Sequence, residues 1–519
     1  MTRSDFRAEA GLRALARSAA RDPLNAVRHA PALARALREA VTRRRRGLLS
    51  GYLSIGLPDE AALVAEASSQ EVRRALKTLK SGPRHARLPG LPISRLDRRV
   101  ADIVQRASTP VDRPKECRRR AGGEARTRQR ALVYAVHDSI PNRQNGYAVR
   151  THALLAAMAS RGWRVVAVAR PTSEPAQDVT LNGVRYVRSH LDSEDWRDWD
   201  AYLDRFSQDL VSVAEEIGAL AVQAASNHIT GAAAARAAAA LSRPFVYEVR
   251  GLWHVTRQSG LSGYERTVGW AAQERAEADV ARRANRVLTL NGAMADRLVE
   301  MGVERERVEL LPNAGVECAE VADKRPGAAH LRLGYIGSLV RYEGLDSLLE
   351  AMSSLPNDSR SRLSLHIYGD GESRAALEAL TGQSGLGRQV TFHGRFDPLT
   401  TKPASLYSGL DLVVLPRRET AVTRLVSPLK PYEAAAHGCA LLVSNVAPLA
   451  EFAANSGAAL TFAAGDRAAL MASLQRVLGS PEMLDGLGQA GRDYVASQAN
   501  WDRRAGDLER MLISLAQAR

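Results

Sequence analysis

Residues 131–137 read ALVYAVH, an unbroken apolar run that stops at a polar loop, which is the pattern of a strand buried on both faces. A helical pattern follows over 147–161 and a second strand around Val165–Ala169. Short apolar runs recur at 219–224, 244–249 and 286–290, with helical stretches between them. The series then begins again: LRLGYIG (331–337), LSLHIYG (363–369), QVTFHG (389–394), DLVVLP (411–416) and ALLVS (440–444) alternate with helices once more. Strands alternating with helices predict a parallel sheet covered on both sides. Two successive series predict an α/β protein of two doubly wound domains, although alternation alone is also compatible with a single barrel.

The first quarter of the chain is different. Residues 1–130 hold 30 Lys and Arg against 13 Asp and Glu, whereas 131–519 hold 42 against 44, so the whole net charge of +15 arises before the first strand. Residues 1–105 read as a helical basic extension: Leu63, Val72, Leu76 and Leu79 share a face flanked by Arg73, Arg74, Lys77 and Lys80. Residues 106–130 carry almost no large apolar side chains and read as a linker. The remainder divides into an N-terminal domain over 131–314, a C-terminal domain over 315–480, and helices over 481–519 expected to pack back on the N-terminal domain. Cys117, Cys318 and Cys439 lie far apart and form no CxxC pair, which argues against a zinc site or disulfide framework. Apolar stretches are interrupted before membrane-spanning length, and the opening residues Arg3, Asp5, Arg7 and Glu9 do not form a signal peptide. The expectation is a cytoplasmic protein.

In open parallel sheets the chemistry sits in the loops at the carboxyl ends of strands. The loop from His137 contains Asn145-Gly146, which lets the backbone turn sharply just before a helix. GYIGSLVRYEGL (334–345) places Gly337 and Ser338 where their N–H groups can meet a phosphate, with Arg341 close by. YGDGES (368–373) ends another strand at Gly369. The densest cluster follows DLVVL: Arg417, Arg418, Arg424 and Lys430 accumulate where an anion would bind, and Pro431 opens a helix carrying Glu433. That carboxylate either favours the helix dipole, worth roughly 0.3–1 kcal/mol, or accepts hydrogen bonds from paired sugar hydroxyls. Asp198 and Asp200 in DSEDWRDWD (192–200) mimic a metal-binding Asp-x-Asp, but they follow no strand and alternate with Trp196, Trp199 and Tyr202 as on a solvated helix. No metal is expected.

Six blocks taken in order resemble the large retaining glycosyltransferase family 4, which includes sucrose synthases and bacterial mannosyltransferases. They are HDSIPNRQNGYAVRTHALLAAMASRGWRV, YEVRGLW (247–253), LLPNAGV (310–316), the GYIGSLVRYEGL loop, IYGDGE and VSPLKPYEAAAHGCALLVS. The resemblance covers about 131–510. It implies a GT-B fold, two facing Rossmann-like domains with a cleft between them. It also implies a UDP- or GDP-sugar donor and transfer with retention, aided by basic residues rather than a metal. Glu433 matches the second glutamate of the donor motif and is expected on the ribose, with Lys430 and Arg341 on the diphosphate. Gly337, Ser338, Gly369 and Pro431 complete the expected donor side. Asn145, Gly146, Tyr147, Asn227, His228 and Arg250 are expected on the acceptor side, and Arg250 stands where many members have a histidine near the reacting sugar. The first glutamate of the motif is replaced by Leu425. The Arg and Lys common in the phosphate loop are replaced by Ser338 and Glu343.

Two other readings use the same fold: a non-catalytic nucleotide-sugar-binding scaffold and a nucleotide-sugar epimerase. For residues 1–130, nucleic acid is a poor partner, because only Phe6 and Tyr52 offer stacking surfaces in 1–105. Phospholipid headgroups at the inner face of the membrane, an acidic partner or an oligomer contact fit the basic surface better.

Overall fold

A computed structural model of the chain describes residues 130–143, 145–191, 199–259, 264–266, 268–316, 330–396, 401 and 403–518. The basic extension 1–105 and almost all of the linker fall outside them, as does most of DSEDWRDWD. Asp200 is described and pairs with Arg236 at 3.1 Å.

The chain forms two open sheets, which rules out the barrel. The first runs β3 (Gln177–Leu181), β4 (Val184–His190), β2 (Arg164–Thr172), β1 (Ala131–Val136), β5 (Ala221–Ala225), β6 (Phe245–Val249), β7 (Arg286–Thr289), β8 (Val308–Leu310). Its neighbours are parallel except β3 and β4. The second runs β11 (Val390–Gly394), β10 (Leu363–Tyr368), β9 (Leu331–Ile336), β12 (Leu412–Leu415), β13 (Ala440–Ser444), β14 (Ala459–Phe462), all parallel. The strands read as apolar runs are buried as expected: every residue of β1, β5, β6, β12 and β13 is buried. Helices cover both faces of the first sheet, giving two apolar clusters, and a third cluster forms the core of the second domain.

The last helices divide between the domains. Helix Met483–Ser497 belongs to the C-terminal core through Leu484 and Val495, whereas helix Trp501–Gln517 lays Trp501, Ala505, Leu508, Met511 and Leu512 into the N-terminal core. Of the two, only helix Trp501–Gln517 packs on the N-terminal domain. Arg161 fastens it with contacts of 3.0 Å to both Asp502 and Glu509. Where the chain passes between domains, Gly315 and Asn500 pair side by side. A segment of the C-terminal domain also docks on the N-terminal one: Val422 lies in its apolar core, and Leu425 and Val426 pack against it. Among the described residues, no helix is long and apolar enough to cross a membrane.

Candidate active site

The strand order of the second sheet reverses between β9 and β12, and an open parallel sheet offers its binding crevice beyond such a reversal. The loops that follow these two strands meet there. Gly337, just after β9, has φ +147° and donates its N–H to the Tyr368 carbonyl at 2.9 Å. A methyl group on Gly337 would stand 2.2 Å from Cε of Lys430, so the lysine stem lies across this glycine. Gly369 has φ +139°, and a methyl group there would come within 1.9 Å of the Gly337 carbonyl oxygen. Both positions favour glycine: a side chain at either would be strained, at Gly369 it would also force the two loops apart, and at Gly337 it would displace Lys430.

Behind the loop lies a buried charge cluster. Glu343 ends the single turn Arg341–Glu343 and is 2% exposed. Its Oε1 accepts from Lys430 Nζ at 2.9 Å and from Arg417 Nη2 at 3.1 Å. Burial alone would raise the Glu343 pKa, but Arg417 and Lys430 outweigh it and hold the carboxyl at about 2. Lys430 moves down from the usual lysine range because burial outweighs the attraction of Glu343. Arg417 also donates to the Val426 carbonyl at 2.9 Å, which ties the cluster to the segment docked on the other domain.

Helix Lys430–Ala436 carries Pro431 and then Glu433 in its first turn. The Tyr407 hydroxyl donates to Glu433 Oε2 at 3.3 Å, and the Tyr407 ring stacks on His437 with centroids 4.8 Å apart. Burial raises the Glu433 pKa, opposed by the Tyr407 hydrogen bond and Lys430.

The first sheet reverses between β1 and β5, and its loops supply the opposite side. Asn145 caps helix Gly146–Ser160 by accepting from the Ala148 N–H. A methyl group on Gly146 would approach Leu429, the residue before Lys430, to 3.8 Å. The Tyr147 hydroxyl accepts from the His137 N–H at 3.0 Å and donates to the Ala225 carbonyl at 3.3 Å. Asn227 caps helix His228–Leu241 and reaches His137 Nδ1 at 3.3 Å, while His137 stands edge-on to Trp253. His228 leans on Glu277, its N–H donating at 2.8 Å.

Arg250 is buried beneath these loops. It is 6% exposed and donates to Glu248 at 2.9 Å, to the Tyr147 carbonyl at 2.9 Å, to Thr151 Oγ1 at 2.7 Å and to the Tyr134 hydroxyl at 2.8 Å. Glu248, fully buried, also accepts from Arg150 at 2.9 Å. Burial would raise Glu248, but Arg250 and Arg150 hold it at about 2.

The structure thus gathers Gly337, Gly369, Lys430 and the first turn with Pro431 and Glu433 at one crevice. Ser338 and Arg341 are exposed on the adjoining loop. The sequence reading did not single out Tyr407 or Glu248, and it named Arg417 only within a basic run and Glu343 only as the replacement of a lysine. The basic run after β12 signalled Arg417, but its partner Glu343 lies 74 residues away and looked only like a departure from a pattern.

Two open α/β domains, with a glycine loop and a lysine at the switch point of the second, define the chain as a glycosyltransferase of the GT-B fold. Residues 145–314 match the glycosyl transferase 4-like domain and residues 328–494 the glycosyl transferases group 1 domain. With this pair of domains, which together span well over half of its length, the chain belongs to glycosyltransferase family 4. It is 24% identical over 382 residues to a glycogen synthase of Mycobacterium tuberculosis, covering 69% of this chain and 88% of that protein. Its fold is similar to that of sucrose-phosphate synthase from Thermosynechococcus elongatus, with TM-score 0.60 and 19% identity over 76% of this chain and all of the other. It is also similar to Anabaena HepE in complex with UDP, with TM-score 0.55 and 13% identity over 74% of this chain and all of the other.

Proposed function

We propose that the chain transfers a sugar from a UDP- or GDP-sugar to an acceptor with retention of anomeric configuration, the donor lying in the C-terminal domain. The observation that carries this is Lys430 laid across Gly337 at the switch point, with Glu433 in the same helical turn. Lys430 and the exposed Arg341 meet the diphosphate, Gly337 and Ser338 admit it close to the backbone, and Glu433 accepts from the ribose hydroxyls. Charge building on the leaving diphosphate is then countered by groups already in place, which is where such sites gain most of their rate. Asn145, Gly146, Tyr147, Asn227 and His228 line the acceptor side. Arg250 acts there as a positioning residue, because its donors are engaged within the domain.

The test is a titration of UDP- and GDP-sugars followed by slow acceptor-free hydrolysis. Lys430→Ala is expected to lower turnover about 100–1,000-fold. Glu433→Ala is expected to weaken donor binding about 10–100-fold, the loss of a charged hydrogen-bond acceptor. Binding without hydrolysis would favour the non-catalytic scaffold, for which the replacement of the first glutamate by Leu425 speaks. No binding of either donor would end the donor-site reading.

The basic residues 1–130 fit anionic headgroups at the inner membrane face, and a cytoplasmic location suits that role. In the same assays, deletion of 1–125 should leave donor binding intact and reduce sedimentation with anionic liposomes. Unchanged sedimentation would leave an acidic partner or a second copy of the chain.

A further inference from the structure

Lysine and arginine side chains repel each other when buried together, yet Lys430 and Arg417 approach the same point behind the glycine loop. What joins them is one oxygen of Glu343. Oε1 accepts from Lys430 Nζ at 2.9 Å and from Arg417 Nη2 and Nε at 3.1 and 3.4 Å. Oε2 is buried and has no hydrogen-bond partner. The carboxylate is therefore placed chiefly by the two cations, with the buried Tyr335 hydroxyl beside it.

The two cations are not equivalent. Arg417 is 5% exposed, is bound to the Val426 carbonyl at 2.9 Å and lies over the Tyr342 ring at 5.7 Å. Its charge is used inside the domain. The Lys430 side chain is 15% exposed, passes over Gly337 and lies over the Tyr335 ring at 5.1 Å. An ammonium has three donors, so Lys430 can keep Glu343 and still offer two to an anion at the loop. The cluster carries one negative and two positive charges, and its surplus falls on the lysine.

We propose that Glu343 is a positioning residue for the donor diphosphate: it keeps the Lys430 ammonium charged and laid across Gly337 before any ligand arrives. The proposal rests on the donor-site reading above. The groups facing Lys430 are Glu343 from the turn after β9, Arg417 from the loop after β12, Glu433 from its own helix and the ring of Tyr335 from β9. Of the two carboxylates among them, only Glu343 contacts the ammonium directly. Without it a desolvated lysine beside a buried arginine gives up its proton more readily, and the diphosphate then meets a neutral amine.

Glu343→Gln suits the test, because a glutamine can present its oxygen where Oε1 stands and its NH2 where the unpartnered Oε2 stands. The measurement is the affinity of the full chain for UDP and GDP by calorimetry between pH 6.5 and 9. The wild type should bind with little change over this range. Glu343→Gln should bind nearly as well at pH 6.5 and at least tenfold more weakly by pH 9, as Lys430 loses its proton. Combining Glu343→Gln with Lys430→Arg should flatten the profile again, since arginine keeps its charge. Glu343→Asp, which retains the carboxylate, should remain flat with a smaller loss, and it serves if the glutamine variant does not fold. A glutamine variant that matches the wild type at every pH, or is equally weak at every pH, would overturn the proposal. So would an aspartate variant with a steep profile. If the wild type binds neither nucleotide, the donor-site reading fails and this proposal fails with it.

Discussion

Gly369 and Gly337 both have positive φ, but they differ in what a side chain would strike. At Gly369 a methyl group would stand 1.9 Å from a backbone carbonyl oxygen, and neither loop can yield without disturbing its strand. At Gly337 the obstacle is the stem of Lys430, a flexible side chain that can swing aside. Gly369→Ala is therefore expected to cost on the order of 3 kcal/mol, combining backbone strain with overpacking. Gly337→Ala should cost less stability but weaken donor binding, because it moves the lysine. Denaturant midpoints and UDP titrations on both variants would decide. A larger stability loss at Gly337 than at Gly369 would contradict the geometry. The sequence marked both glycines as loop positions after strands, Gly337 as a phosphate-loop candidate and Gly369 on the donor side only through the family resemblance. What it could not show was that they cross each other and that Lys430 covers one of them. Contacts between loops leave no local pattern, and for the same reason Glu343 looked like a missing lysine and not like the partner of Arg417.

At the scale of elements, legibility followed burial. Strands covered on both faces announced themselves as apolar runs, and β1, β9, β10, β12 and β13 stand within a residue or two of where the runs lie. The β3–β4 hairpin was missed because β3 is mostly exposed and β4 alternates buried and half-buried positions. A signal was present, since Asn182-Gly183 forms its turn with both residues at positive φ, the preferred chemistry for a two-residue hairpin loop. The short helix Trp253–Gln258 was equally silent, yet it carries a group with a consequence for stability. His254 is 1% exposed, stands edge-on to Trp270, and its Nε2 has no hydrogen-bond partner. Burial, with Arg297 and His228 nearby, lowers its pKa to about 3. The native ring is therefore neutral, while the unfolded chain takes up a proton near pH 6.5. Stability should be complete above that pH and fall as the pH drops toward about 3, since the unfolded state binds the extra proton. Between pH 7 and pH 4.5 this contributes a loss on the order of 2 kcal/mol. His254→Phe should remove that part of the acid sensitivity, read as a smaller shift in denaturant midpoint between the two pH values. An unchanged shift would assign the sensitivity to other groups.

The two domains and their order were legible because each strand series restarts the same pattern, whereas the cleft between them came only with the family resemblance. How the domains hold each other was not legible, and it depends on a few polar groups. The chain passes between them at Gly315 and Asn500, which lie side by side. Away from that double crossing, Asn291 donates to the Leu425 carbonyl and to Ser427 Oγ, both at 2.8 Å, and Asn313 donates to the Ser427 carbonyl at 2.9 Å. Asn313 is itself held by Arg150 at 2.9 Å, and Arg150 by Glu248, so the buried network around Glu248 reaches the segment just ahead of Lys430. Leu425 stands where the family resemblance leads one to expect a glutamate, and here its backbone is a docking point for the other domain. Opening the crevice by rotation about the crossing would have to break the Asn291 contacts. Replacing Asn291 and Asn313 together by alanine removes three donated hydrogen bonds, each worth about 0.5–1.5 kcal/mol net. Amide exchange over 421–427 is expected to rise at least tenfold in the double variant, while exchange in β9 and β12 stays as it was. Donor affinity should fall by less than the exchange rises, because Lys430 and Glu343 remain in place within their own domain. Exchange over 421–427 that matches the wild type would mean that apolar docking through Val422, not these amides, holds the domains together.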